Sequence, residues 1–172
     1  MHNITIIKVT TNDIADLQSI GKQTFDETFA AANTEEDMQT YLNESFSTAK
    51  LTQELQELNS AFYFALLNNL PIGYLKLNFG AAQTELKEET ALEIERIYVL
   101  KIFHGKHIGQ LLYNQALQVA KQTNVNYVWL GVWEKNLRAI NFYKKNGFEE
   151  FDKHLFKLGK DEQIDIMMKL KL

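Results

Sequence analysis

Trp129-Leu130-Gly131-Val132-Trp133-Glu134-Lys135-Asn136, continued by Arg138-Ala139-Ile140-Asn141-Phe142-Tyr143-Lys144-Lys145-Asn146-Gly147-Phe148, is the stretch that says most about how this chain folds. Its first half belongs to an apolar strand spanning Asn126 to Val132. Asn136 then opens a helix that runs to Asn146, and Gly147 stops it, because glycine enters the left-handed conformation without steric cost. A strand, a polar helix start, an aromatic pair and a terminal Gly-Phe form an uncommon combination.

The next informative segment upstream is Phe103-His104-Gly105-Lys106-His107-Ile108-Gly109-Gln110. It lies between a strand and an amphipathic helix, in which Ile108, Leu111, Leu112, Ala116, Val119 and Ala120 recur at helical spacing. Glycines let such a turn close tightly, so that unpaired N–H groups and the positive end of the helix dipole form an anion site. Lys106, His104 and His107 add charge nearby. An ordinary strand-to-helix turn fits the same residues, and the spacing matches neither a Walker loop nor a dinucleotide fingerprint.

The strand before that loop contains Ala91 to Leu100. Strict alternation puts Leu92, Ile94, Arg96 and Tyr98 on one face and Glu93, Glu95, Ile97 and Val99 on the other. Nearer the start of the chain, Ile4–Val9 reads as a strand. Asp13 to about Thr28 reads as a helix capped by Thr11 or Asn12, with Ile14, Leu17 and Phe25 inward. Helical pattern continues from about Thr34 to Asn59. Ala61–Leu67 and Ile72–Asn78 form a hairpin around Asn68-Asn69-Leu70-Pro71. Two late strands cover about Phe148–Phe156 and Gln163–Leu170. Strands interleaved with helices in this way describe an α/β or α+β layered sheet packed by helices. Periodicity does not give their order.

With 172 residues, one proline, eight glycines and no linker-like tract, one domain over residues 1–172 is expected. Cysteine is absent, which removes disulfides, thiolate metal sites and a cysteine nucleophile from consideration. The start, Met1-His2-Asn3-Ile4-Thr5, has no secretory pattern, and the longest apolar run, Ala61–Leu67, is too short to span a bilayer. A cytoplasmic protein with no membrane partner is the default expectation. The net charge of −4 argues against nucleic acid. Its distribution is uneven: residues 1–100 carry 6 Lys/Arg against 15 Asp/Glu, whereas residues 101–145 carry 7 against the single acid Glu134. The basic block coincides with the candidate anion loop.

Together these segments resemble the GNAT superfamily of N-acetyltransferases. The Gly105–Gly109 loop is similar to its acetyl-CoA pyrophosphate loop, and Asn136…Ala139…Phe142-Tyr143…Gly147-Phe148 to its second cofactor segment. Glu93-Ile94-Glu95-Arg96-Ile97-Tyr98-Val99, the Trp129–Asn136 run and Gly159-Lys160-Asp161-Glu162-Gln163-Ile164-Asp165 narrow the resemblance to bacterial PaiA-type polyamine acetyltransferases. Two positions depart from the superfamily pattern, His104 where Arg or Gln is usual and His107 where glycine is usual. A residue starting a helix needs no positive φ, so His107 is expected to cost nothing.

The resemblance implies a mixed, mostly antiparallel sheet of about seven strands, splayed between the fourth and fifth. Acetyl-CoA would fill the gap, with main-chain bonds from Ile97, Tyr98 and Val99. Gly105, Lys106, His107, Ile108, Gly109 and Gln110 would cradle the pyrophosphate, Asn136 would bond the pantetheine, and Lys145 or Arg138 would meet the 3′-phosphate. No metal is implied. A primary alkyl amine is mostly protonated at neutral pH, so something must take its proton and something must return one to the thiolate. Glu95 is the candidate base, through water, because it shares a face with Ile97 and Val99. Tyr143 is the candidate acid, and Glu93 a seat for substrate ammonium. The bland alternatives are a solvated strand glutamate and a core-facing aromatic. Acids near 85–95, with Glu35, Glu36 and Asp37, suit a polycation such as spermidine but equally suit plain solubility. Other amines, an acyl-CoA-binding regulator and a homodimer stay open. Trp129 and Trp133 read as packing, and His2 and His154 carry no assignment.

Overall fold

A computed structural model describes residues 4–172; Met1, His2 and Asn3 lie outside the described residues. The order of elements is β1 (Ile4–Lys8), α1 (Ile14–Phe29), α2 (Glu35–Ser45), α3 (Thr48–Gln56), β2 (Ser60–Leu67), β3 (Leu70–Phe79), β4 (Ala91–Val99), α4 (Ile108–Gln122), β5 (Tyr127–Trp133), α5 (Leu137–Lys145), β6 (Glu149–Leu158) and β7 (Asp161–Lys171). All seven strands join one sheet in the order β1-β2-β3-β4-β5-β7-β6. Every pairing is antiparallel except β4 with β5.

Local chemistry sets the boundaries. The cap at the first helix is Thr10 rather than Thr11 or Asn12: Thr10 and Asp13 form a reciprocal capping box around a short 3-10 turn that leads into α1. The helical stretch after Thr34 is broken at Phe46–Ser47, where the Ser47 hydroxyl accepts the Lys50 N–H at 3.1 Å and starts α3. Asn68 and Asn69 take φ of 51° and 64°, which makes the β2–β3 turn a tight two-residue one.

Two cores sandwich the sheet. On one face Leu112, Ala116 and Ala120 of α4 and Ile140 of α5 pack on Leu75, Leu77, Leu92 and Val128. On the other, Leu17 and Phe25 of α1 and Leu51 of α3 pack on Phe62, Phe64 and Tyr74. Each such leucine, isoleucine, valine or phenylalanine side chain contributes about 1.5–3 kcal/mol by leaving water. Trp129 belongs to a smaller cluster with Ala91 and Met167, its indole N–H donating to Gln83 at 2.6 Å, so it is a packing residue.

Strand β4 departs from regular pairing on both of its sides. The parallel β4–β5 ladder holds only from Ala91↔Tyr127 to Glu93↔Trp129, after which the strands diverge. On β4, Lys76 of β3 faces Arg96 while its neighbour Leu77 faces Ile94, so Glu95 is an extra residue, a β-bulge. Beyond the bulge the alternation inverts. Ile97 and Val99 join the α4 face with Leu92 and Ile94, while Tyr98 joins the α1 face. Glu95 therefore does not share a face with Ile97 and Val99, as strict alternation requires. It lies with Glu93, Arg96 and Tyr98.

Candidate functional site

The divergence of β4 and β5 opens a cleft of about 680 Å³ that passes from one face of the sheet to the other. Of the site residues named from sequence, all line it except Lys106. The Lys106 N–H is spent on Phe103 O at 3.4 Å and its ammonium lies over the Phe103 ring, 5.0 Å from the centroid.

At the α4 end the cleft meets the Phe103–Gln110 loop. The N–H groups of Gly105, His107, Ile108, Gly109 and Gln110 donate to no acceptor among the described residues, whereas Leu111 resumes the helical pattern by donating to His107 O. Gly105 at φ +77° and His107 at φ +61° bend the backbone into a concave strip of donors at the head of a 15-residue helix. The left-handed His107 overturns the expectation that this position needs no positive φ. The loop must reverse direction immediately before the helix begins, and a β-carbon there meets its own backbone at a cost of about 1–2 kcal/mol. Replacing His107 with glycine should raise unfolding stability by about 0.5–1 kcal/mol, after allowing for the greater freedom of the unfolded chain. Urea denaturation measures this.

His104 is used differently from a charged loop residue. Its Nε2 lies 2.8 Å from Val99 O, which ties the loop to the end of β4. Arg138 Nη2 is 3.3 Å from the same nitrogen, and the two contacts cannot both be hydrogen bonds, since that nitrogen must donate to the carbonyl. The shorter one to Val99 holds. Burial lowers the imidazole pKa, opposed in part by the Val99 carbonyl. The ring fastens the loop instead of facing an anion through Nε2.

The main chain of β4 supplies further donors. Leu100 N donates to Ile72 O, so Val99 and Gly73 form a non-hydrogen-bonded pair and Tyr98 and Tyr74 a bonded one. The N–H groups of Val99 and, two residues back, Ile97 therefore turn away from β3 toward the gap. Tyr98, which also lines the cleft, has its backbone in the β3 ladder and its ring stacked on Tyr74 at 6.0 Å. Asn136 accepts the Ala139 N–H at 3.2 Å as the cap of α5, and its amide NH2 has no partner among the described residues. Arg138 and Lys145 stand exposed along the same end. Tyr143 is 6% exposed, and its hydroxyl has no partner among the described residues. Burial pushes its pKa well above the ordinary phenol value, so it keeps its proton at neutral pH.

The opposite end is acidic, lined by Glu85, Glu93, Glu95 and Asp165. Glu35, Glu36 and Asp37 do not reach it; Asp37 instead accepts the Lys160 N–H at the β6–β7 turn. Glu93 accepts from Thr84 N at 2.8 Å, from Asn78 at 3.0 Å and from the Thr84 hydroxyl. Burial raises its pKa, and the Thr84 and Asn78 bonds restrain that rise. Glu95 is locked. Lys76 Nζ and Asn78 Nδ2 each lie 2.6 Å from Oε2, and Arg96 Nη2 is 3.3 Å from Oε1. Burial opposes its ionisation, but Arg96 and Lys76 outweigh that and hold its carboxyl below the usual range. A carboxylate so engaged is a poor proton acceptor. Glu54 completes the network, 3.2 Å from Lys76 and doubly bonded to Arg96. His154 pairs with Glu85 at 3.0 Å.

Sequence reasoning missed Lys76, Asn78 and Thr84, because their approach to β4 depends on strand pairing and on the turn before it. Asp165 carried one usable signal, a lone acid between two isoleucines in a strand. Among the described residues no three His, Cys, Asp or Glu side chains gather as a metal site requires, and no helix is long and apolar enough to cross a membrane.

A sequence model described as Acetyltransferase (GNAT) family matches residues 25–148. The chain is 37% identical over 169 residues to an N-acetyltransferase of Lactobacillus delbrueckii subsp. lactis, covering 98% of each chain. It is 27% identical to a spermidine N(1)-acetyltransferase of Thermoplasma acidophilum, over 87% of this chain and 91% of that one. The crystal structure of the PaiA N-acetyltransferase of Thermoplasma acidophilum in complex with coenzyme A superposes with a TM-score of 0.83 at 25% identity, covering 99% of both chains.

Proposed function

Because this chain belongs to the GNAT acetyltransferase family and is an N-acetyltransferase, we propose that it uses the cleft between β4 and β5 to move acetyl from acetyl-CoA to a polyamine. The observation that carries the reading is the polarity of that cleft. Bare amide donors stand at one end, four carboxylates at the other, and the splayed strands lie between. Acetyl-CoA supplies an activated thioester. The free N–H groups of Gly105 and His107 to Gln110 fit a diphosphate, and those of Ile97 and Val99 fit the amide-bearing pantetheine arm as an added strand would. The Asn136 amide reaches the same arm, and Arg138 and Lys145 suit the 3′-phosphate.

The acidic end suits an acceptor with more than one ammonium group. Glu93, Glu95 and Glu54 carry three negative charges against the two positive ones of Lys76 and Arg96 when all are ionised, so a cation from outside completes the balance next to Glu93. Tyr143 stands across the gap as the proton donor to the departing thiolate. The spermidine acetyltransferase and PaiA relatives support this choice of acceptor.

The test is thiol release with a panel of amines at one concentration. Spermidine and spermine should exceed butylamine in kcat/KM by at least about tenfold, the worth of one additional charge-assisted contact. Preference for a peptide N-terminus or for a monoamine would overturn the polyamine reading, and coenzyme A binding without turnover for every amine would mark a regulatory binder.

A further inference from the structure

The four carboxylates in the acidic end of the cleft are not equivalent. Glu85 is paired with His154, Glu93 takes three hydrogen bonds, and Glu95 is held by two cations and an amide. Asp165 alone has neither a hydrogen-bond donor nor a salt bridge among the described residues. It sits on β7 opposite Trp133 of β5, and its Oδ2 would lie 3.5 Å from a β-carbon at Gly131. Gly131 is the second residue after Trp129, where the β4–β5 ladder ends, so it borders the start of the gap. With no side chain at Gly131, the Asp165 carboxylate opens directly onto the space where the two strands part.

We propose that Asp165 is a further catalytic residue, whose carboxylate takes the proton from the reacting ammonium group of the acceptor. The inference rests on the acetyltransferase reading above and supplies the base that Glu95, being locked, does not. The ammonium gives one proton to Asp165 and becomes a neutral amine. Its lone pair forms the C–N bond to the thioester carbonyl carbon as the C–S bond breaks. The second proton, shed by that nitrogen as the amide forms, passes through Tyr143 to the sulfur. The products are the N-acetyl amine, free thiol and protonated Asp165, which returns its proton to water.

The electrostatic setting agrees with this role. Burial lifts the Asp165 pKa to about 6, and His154 holds it from rising further. From β6 the carboxylate faces His154, with Glu85 bonded to that imidazole; from β5 it faces only Gly131 and Trp133. A group of this pKa is ionised at neutral pH yet basic enough to hold a proton during the reaction.

The experiment is the pH profile of kcat/KM for spermidine between pH 5 and 9, with thiol release as readout. Wild type should lose activity below about pH 6 as Asp165 protonates. Asp165→Asn should lower kcat/KM about 100-fold and abolish that acidic limb, with coenzyme A affinity unchanged by calorimetry. Should Asp165→Asn fail to fold, His154→Gln decides the matter, because removing the imidazole that restrains the Asp165 pKa should move the acidic limb to higher pH. Retention of wild-type rate and limb by Asp165→Asn, or an unmoved limb in His154→Gln, overturns the proposal. Both outcomes presuppose a wild type that turns over spermidine. A wild type inactive on every amine overturns the acceptor reading, and this inference with it.

Discussion

Replacing Tyr143 with phenylalanine should lower kcat about 100-fold and leave the fold intact. The phenol lines the cleft from the last turn of α5, with its ring packed against Phe142 and Phe148 at centroid distances of 5.5 and 5.7 Å. The ring is therefore fixed and only the hydroxyl differs in the variant. That hydroxyl donates to nothing else among the described residues, so its removal orphans no partner, and unfolding stability should stay within about 0.5 kcal/mol of wild type. The loss of a positioned proton donor falls on the chemical step, for which about 100-fold is the low end of what general acids contribute. Steady-state kinetics should show kcat reduced with KM for acetyl-CoA little changed. An unaltered kcat would remove Tyr143 from the mechanism, and a lost melting transition would make it a core residue only.

Lys76→Met should destabilise the protein by about 3–5 kcal/mol, the cost of breaking a buried ion network from one side. Lys76 is 5% exposed, and its ammonium is 2.6 Å from Glu95 and 3.2 Å from Glu54. Methionine keeps the apolar stem over Phe62, where Nζ now sits 5.5 Å from the ring centroid, so the volume is conserved and the charge is not. Two carboxylates then share the single guanidinium of Arg96. The effect depends on pH, and its sign follows from Glu95. Its carboxyl is held below the ordinary value in the folded protein, so its stabilisation is present above the unfolded pKa and is lost as pH falls through the folded one. Lys76 is part of that stabilisation. The deficit of the variant should be largest near neutrality and shrink as pH falls below the usual carboxylate range. Urea titrations at pH 7.5 and pH 3 measure it; equal deficits at both would mean that Lys76 acts by packing alone.

The same network gives the cleft its shape. The β-bulge at Glu95 sends two successive side chains, Glu95 and Arg96, to the same face, where Glu54 and Lys76 meet them. The bulge also turns the N–H groups of Ile97 and Val99 into the gap. One inserted residue thus serves both the acidic floor and the edge open to an added strand.

Much of the site is legible in the order of residues because its chemistry is local. The loop donors depend on glycines and on a helix start within a few residues of one another. Asn136 to Gly147 announces a capped helix, and the Phe142-Tyr143 pair within it carries the family resemblance. The misreadings are also local but invisible in one dimension. The bulge reverses the face of every residue after Glu95, since a period of two cannot register an extra residue until a partner strand fixes the register. His107 adopts a left-handed backbone because a turn and a helix must join there, and residue type alone does not reveal that demand.

Whereas the candidate acid rested on the family resemblance, the chain's order of residues by itself determined seven strands, the helices between them and the glycine-bearing turn before α4. Each of these arises from contacts among neighbours in sequence, where side-chain period and backbone preference suffice. Only the tertiary structure decided strand order, the opening between β4 and β5, and which carboxylate is left free. The last depends on Thr84, Asn78 and Lys76 reaching Glu93 and Glu95 from segments apart in sequence, with Asp165 left alone beside Gly131. Whether an acid is a base or a brace is set by its partners in space.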